Sequence, residues 1–173
     1  SLCCLLCACL LVQVAHTYAL YEAGYGIMNE HQVAIGESTC ASWLFATPTS
    51  AGGKAQIEVR EMSKLALERT TSARDAIQLM GDLATELGYY SADWSGGDLS
   101  RGEGGESLQV VDTKEAWVFH VTSGEFWCTT LFSALALHTP LVYVCYPLPL
   151  FKLPRKSIVE VLLRSLHCIS HLS

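Results

Sequence analysis

The clearest alternation of apolar and polar positions lies in residues 24–40. An apolar piece bracketed by glycines leads into a polar turn at 29–31, after which Val33 and Ile35 alternate with polar or small residues. A period of two predicts a strand whose two faces have different surroundings. We therefore expect a strand with Val33 and Ile35 on its buried face.

This strand ends in three consecutive polar side chains, Glu37, Ser38 and Thr39, in a chain that is otherwise 50% hydrophobic. We interpret them as candidates for the floor of a pocket. The alternative is an ordinary strand end solvated by polar residues.

The turn before the strand contains Asn29, Glu30 and His31. We expect Asn29 to adopt the left-handed conformation that Asn tolerates, and His31 to face solvent. Adjacent strand residues point to opposite faces, so Glu30 and His31 would not converge as a catalytic dyad.

Two amphipathic helices are predicted in the middle of the chain. Residues 56–69 place Val59, Met62 and Ala66 on one stripe. Ser72 is a good N-cap for the second helix, with Asp75 three residues later, and Gly88 closes it. Its regular apolar stripe predicts core packing: Ala73, Ala76, Ile77, Met80, Leu83, Ala84 and Leu87.

A β-hairpin is predicted after a glycine-rich stretch that ends near residue 105. Residues 107–111 form its first strand, a tight turn occupies 112–114, and 115–121 return as the second strand. Trp117, Phe119 and Val121 would share one face. Strands, two helices and a hairpin together predict an α+β fold with the helices packed on antiparallel sheet.

The two ends of the chain differ in character from its middle. Residues 1–15 are apolar and uncharged, which fits either a truncated signal segment or sequence foreign to the parent protein. Residues 126–146 are apolar and long enough to span a bilayer, although they contain His138 and Pro140. A membrane segment there is the less favoured alternative.

Composition narrows the possible functions. The formal net charge is −6, and no basic cluster with interleaved aromatics occurs, so nucleic acid is not an expected partner. The eight cysteines are crowded at the start or scattered, which does not fit a disulfide framework. Cys4 and Cys7 have a metal-like spacing without a second pair, so no metal site is predicted. Cys40 would be a small buried apolar residue.

Three blocks of sequence together resemble a known family. Residues 25–42 read YGIMNEHQVAIGESTCAS; the second block runs from ARDAI at 73–77 to LGYY at 87–90; the third runs from EGGESL at 103–108 to EAWVFHV at 115–121. In this order they resemble the dipeptidase A-type cysteine peptidases, relatives of the secernins within the N-terminal-nucleophile hydrolases. The resemblance covers about residues 12–121.

The resemblance implies a partial αββα sandwich and hydrolysis of dipeptides or small amides, without metal or organic cofactor. In this family a cysteine at the mature N-terminus attacks the peptide carbonyl, and its own α-amine acts as the base. The strand that ends in Glu37, Ser38 and Thr39 would lie near that site. The implied partner is a small peptide. The resemblance determines neither the oligomeric state nor whether the protein lies in the cytoplasm or in the secretory pathway.

The nucleophile that the resemblance requires is not in its expected place. It should precede His16, but Cys3 and Cys4 lie in an apolar run rather than in the family's motif. The sequence Cys128-Thr129-Thr130 matches the usual start of the mature enzymes of this family, but it follows the hairpin instead of preceding the domain. Cys128 would be an N-terminal nucleophile only if the chain were cleaved before it. We therefore expect an inactive chain, a fragment of a cysteine-type dipeptidase.

Two rival functions remain: a non-enzymatic secernin-like protein and a membrane-anchored binding module. The expected organisation has three parts. Residues 1–11 form an apolar segment outside the family, residues 12–121 a partial dipeptidase-like domain, and residues 122–173 an apolar and basic tail without family resemblance.

Overall fold

The computed structural model describes residues 13–40, 42, 46–91, 104–123, 126–132 and 142–146. They form a principal antiparallel sheet, two helices and a small parallel strand pair. The strands are β1 (Leu20–Glu22), β2 (Gly26–Asn29), β3 (Ala34–Cys40), β4 (Ile57–Glu58), β5 (Tyr89–Tyr90), β6 (Gly105–Val111), β7 (Ala116–Ser123), β8 (Phe126–Phe132) and β9 (Val142–Tyr146). The helices are α1 (Val59–Arg69) and α2 (Ala73–Leu87), and a short 3-10 turn covers Thr49–Ala51.

The principal sheet has seven strands in the order β1-β2-β3-β6-β7-β8-β9. Every neighbouring pair in this order is antiparallel. Both helices are inserted in the chain between β3 and β6, and they pack on one face of the sheet. The predicted α+β architecture, with two amphipathic helices on antiparallel sheet, is confirmed.

The core lies between the helices and this face of the sheet. The predicted stripe of α2 is buried throughout, as are Val59, Met62 and Ala66 of α1. From the sheet, Leu108, Val110 and Phe119 join the same cluster. The predicted hairpin is confirmed, because β6 and β7 pair with Val110 opposite Trp117 and Leu108 opposite Phe119.

The ends of α2 follow the predicted capping chemistry. Ser72 Oγ accepts a hydrogen bond from the Asp75 backbone N–H at 3.1 Å. Gly88, at φ 70°, ends the helix in a conformation that residues with a Cβ rarely adopt. The helix predicted over 56–69 begins only at Val59, since Ile57 and Glu58 pair in parallel with Tyr89 and Tyr90.

Two stretches of the apolar run at 126–146, residues 126–132 and 142–146, are strands of the sheet, β8 and β9. Trp127 of β8 packs against Gly81 of α2, and its indole N–H donates to Thr85 Oγ1 at 3.1 Å. Any side chain at position 81 would collide with this indole. Among the residues described here, no helix is long and apolar enough to cross a membrane.

The polar turn before β3 is fixed by Asn29, which is 4% exposed. Its side-chain oxygen accepts hydrogen bonds from the backbone N–H groups of His31 and Val33, both at 3.0 Å. Its amide nitrogen donates to the carbonyl oxygens of Leu67 and Thr70, both at 2.8 Å, at the end of α1. One buried amide therefore joins the turn that starts β3 to the end of a helix.

The expected left-handed conformation at Asn29 is wrong, because Asn29 is the last residue of β2. Gln32 takes the positive φ of 62° instead. The prediction that His31 faces solvent is confirmed: its ring is exposed and lies edge-on to Tyr18, with ring centroids 4.3 Å apart.

Replacing Asn29 by Ala would leave the buried N–H of Val33, the partly buried N–H of His31 and the carbonyl groups of Leu67 and Thr70 without this partner. Because buried unsatisfied polar groups are costly, we expect Asn29→Ala to lower the free energy of unfolding by about 3 kcal/mol. Urea unfolding followed by circular dichroism measures this loss. Gln78→Ala is the matched control, since the Gln78 amide only bonds Asp82 on an exposed helix surface. A loss at Asn29 no larger than that of the control would contradict this role.

Candidate functional site

The candidate site is built on the pairing of β3 with β6. All seven residues of β3 pair with β6, without a bulge, from Ala34 opposite Val111 to Cys40 opposite Gly105. This register places Thr39 opposite Glu106 and Ser38 opposite Ser107. The polar end of β3 therefore meets a polar end of β6.

The three predicted pocket residues do not lie on one face of the sheet. Side chains alternate along a strand, so Glu37 and Thr39 share the helix-packed face with Ile35. Thr39 Oγ1 donates a hydrogen bond to Glu37 Oε1 at 2.7 Å. Ser38 points to the opposite face. The predicted pocket is thus divided into two polar clusters, one on each face.

The cluster on the helix-packed face centres on Glu106, whose side chain is in phase with the core residues Leu108 and Val110. Glu106 is 2% exposed. Its Oε1 lies 3.4 Å from Ser91 Oγ, a long hydrogen bond. Burial raises the pKa of Glu106 to about 9; a side-chain hydrogen bond with Glu37 and the charge of Glu37 add to the rise, and the hydrogen bond with Ser91 opposes it. Near neutral pH, Glu106 is therefore protonated.

Tyr89 completes this cluster from the end of α2. Its side chain is fully buried. Burial raises the pKa of Tyr89 strongly, the charges of Glu106 and Glu37 contribute in the same direction, and a hydrogen bond with the Ser91 side chain opposes them. The Tyr89 hydroxyl therefore lies within electrostatic reach of both carboxyl groups. We call Glu37, Thr39, Tyr89, Ser91 and Glu106 the acid cluster.

The cluster on the opposite face contains Cys40, Ser107 and His120. Ser107 Oγ lies 2.7 Å from His120 Nδ1 and 3.4 Å from Cys40 Sγ. Ser107 and His120 are buried, and burial lowers the pKa of His120 to about 4. Cys40 is half-buried rather than buried as expected, and its thiol belongs to this polar chain.

The two clusters differ in what they can do chemically. The Ser107 hydroxyl and the neutral His120 ring are placed like a nucleophile and its base. The lowered pKa of His120, however, makes it a weak base at neutral pH. The acid cluster instead offers several oxygen atoms and no positive charge, which suits a ligand that donates hydrogen bonds. No group of three potential metal ligands occurs among the residues that the structure describes.

The other residues considered from sequence do not form a site. Glu30 accepts a hydrogen bond from the Ala19 backbone N–H at 2.9 Å, whereas the His31 ring packs on Tyr18, so the two do not act as a dyad. Cys128 lies inside β8, which pairs with β7 and β9 on its two sides. Its backbone nitrogen is thus held within the sheet.

Sequence reasoning missed Glu106, Tyr89, Ser107 and His120. A signal for Glu106 was present, because it falls in phase with Leu108 and Val110 on the apolar face of the predicted hairpin. An acid at an apolar strand position is unusual. Tyr89 gave no such signal, since a core tyrosine after a helix is common.

The raised pKa of Glu106 predicts how stability changes with pH. Between pH 4.5, the ordinary pKa of a glutamate side chain, and about pH 9, the folded state holds a proton that the unfolded state releases. Glu106 therefore contributes stability that is full below pH 4.5 and is lost as the pH rises toward 9, by at most about 1.4 kcal/mol per pH unit. Glu106→Gln removes this loss. We expect its stability relative to the wild type to increase from pH 5 to pH 9 in urea titrations, and a constant difference would contradict the assignment.

The comparison with protein families gives a match to the model described as peptidase family C69, over residues 14–132. The match includes α1, α2, both polar clusters and the whole of β8. It extends past Val121, where the sequence resemblance ended. Because the match covers more than half of the 173 residues, the chain belongs to peptidase family C69.

Proposed function

We propose that this chain carries the scaffold and substrate pocket of a cysteine-type dipeptidase, and that its substrates are dipeptides or small amides. The observation that carries the proposal is the polar end of β3 in a chain of a peptidase family. There Glu37 and Thr39 are joined by a 2.7 Å hydrogen bond and lie next to a buried acid. Polar groups that converge at the edge of an apolar core are typical of a small-molecule site.

Within this proposal, Glu37 and Thr39 contact the substrate from the helix-packed face. Ser38 has a different role, because it lies on the face of Ser107 and His120. Strand alternation separates Ser38 from Glu37 and Thr39. The pocket proposed here therefore keeps only Glu37 and Thr39 of the three residues predicted from sequence.

The proposed reaction needs a thiol and a free α-amine on the same cysteine, with the amine as base. Cys40 and Cys128 lie within strands, so their backbone nitrogens are part of peptide bonds. Neither can act as an N-terminal nucleophile. The proposed nucleophile is a cysteine ahead of His16 in the mature enzyme, as the family resemblance implies.

A second candidate function is a non-enzymatic, secernin-like protein that binds peptides without hydrolysing them. The placement of Cys40 and Cys128 inside strands favours this non-enzymatic function for the 173-residue chain. Binding of a dipeptide without release of amino acids would distinguish it from the enzyme.

We expect the 173-residue chain to release no amino acids from dipeptides such as alanyl-alanine above the rate in buffer. The physical reason is that Cys40 and Cys128 lie within strands and have no free α-amine, and that Cys3 and Cys4 lie in an apolar run outside the family's motif. Chromatographic detection of free alanine measures this, and Cys40→Ser with Cys128→Ser serves as the matched double variant. Turnover that disappears in the double variant would contradict the proposal, because an internal cysteine would then be the nucleophile.

A further inference from the structure

Two cysteines lie opposite each other on the last two strands of the principal sheet. β8 and β9 pair antiparallel in an unbroken register, and this register places Cys128 directly opposite Cys145. No other strand pair of the described sheet brings two cysteines to opposed positions. The pair is therefore a candidate for a covalent cross-link between the strands.

The backbone spacing at opposed positions suits a disulfide. Residues directly opposite on antiparallel strands have Cα atoms about 4.5 or 5.5 Å apart, depending on their place in the hydrogen-bond pattern. Disulfides join cysteines whose Cα atoms are about 4.4 to 6.8 Å apart, so both spacings lie within this range. Opposed residues also share one face of the sheet. The register thus allows a link between Cys128 and Cys145 without movement of the strands.

Cys40 lacks such a partner, although it lies on the same face of the sheet. Its opposed residue on β6 is Gly105. Two strands, β6 and β7, separate β3 from β8. At about 4.8 Å per strand, Cys40 and Cys128 are at least about 14 Å apart, which is beyond the reach of a disulfide.

The surroundings of Cys128 favour a stable link over a catalytic redox pair. Cys128 is a half-buried thiol, and its opposed residue on β7 is His120. Burial lowers the pKa of His120 to about 4, so its ring carries no positive charge at neutral pH. Cysteines of catalytic redox pairs are typically kept as thiolates by neighbouring positive charge, which His120 does not supply.

We propose that Cys128 and Cys145 form a cross-strand disulfide when the chain meets a small-molecule disulfide such as oxidised glutathione. One protein thiolate attacks a sulfur of the oxidant, which forms a mixed disulfide and releases one glutathione. The second protein thiolate attacks the protein sulfur of this mixed disulfide and releases the other glutathione. Two electrons and the two thiol protons pass from the protein to the two glutathione molecules. The link is independent of the proposed peptide pocket.

The disulfide would fasten the outermost strand of the sheet. β9 lies at one end of the strand order and, among the described strands, pairs only with β8. The link closes a loop that contains residues 129–144. Because loop closure restricts the unfolded chain, we expect the oxidised chain to unfold about 5 °C or more above the reduced chain.

Peptide mapping of the 173-residue chain tests the proposal. The chain is incubated with an excess of oxidised over reduced glutathione, and the remaining thiols are alkylated. Chymotrypsin then separates the two cysteines, because it cleaves after aromatic residues such as Phe132. Mass spectrometry should show the peptides of Cys128 and Cys145 joined, and dithiothreitol should separate them. Thermal unfolding followed by circular dichroism measures the difference between the oxidised and reduced chains.

Two variants assign the effect to this pair. Cys145→Ser should abolish both the joined peptides and the rise of the unfolding midpoint, whereas the matched control Cys40→Ser should change neither. The proposal would be overturned if Cys128 and Cys145 were both still alkylated after oxidation, or if Cys128 were joined to another cysteine. The mapping uses the unmodified sequence, so its result stands even where a variant fails to fold.

Discussion

The register between β3 and β6 is the constraint on which the rest of this structure depends. A shift of one residue would exchange the faces of every side chain on β3 and move Ile35 from the core to the other side of the sheet. It would also separate Glu37 and Thr39 from Glu106. The register is held by burial of Ile35, Leu108 and Val110, and by Asn29, which fixes the turn that leads into β3.

Asn29 links this register to the helical layer. Its amide bonds to the end of α1, while its oxygen orders the backbone of the turn. The helix position and the start of β3 are therefore set by the same side chain. The candidate site lies at the other end of β3, so its geometry follows from the turn, the strand pairing and the packing of α2 beneath Tyr89.

Burying the Glu106 carboxyl costs folding free energy, which the rest of the core offsets. Burial beside Glu37 favours the protonated form of Glu106, which avoids an isolated buried charge. Structural cores are usually more stable with an apolar residue at such a position. An acid on the apolar face of β6 is therefore not explained by stability alone.

Much of the fold follows from local patterns in the sequence. The stripe of α2, its Ser72 cap and its Gly88 end, and the hairpin of β6 and β7 are encoded by spacing and turn chemistry. The pairing of β4 with β5 is not, because two-residue strands carry no periodic signal. The strands at 126–132 and 142–146 were not predicted either, because a continuous apolar run does not by itself distinguish a buried strand from another apolar segment.

The candidate site was predictable only in part. The polar end of β3 was visible in Glu37, Ser38 and Thr39, but their division between two faces needed the strand to be placed against the helices. Glu106 and Tyr89 are far apart in the sequence and meet only through the register of β6 and the end of α2. The roles of Asn29 and Cys40 likewise depend on partners distant in sequence.

The most direct test of the account is an experimental structure of this chain with a bound dipeptide. The account predicts that the peptide lies on the helix-packed face at the end of β3, in contact with Glu37 and Thr39. A peptide bound instead on the face of Ser38, Ser107 and His120 would contradict it.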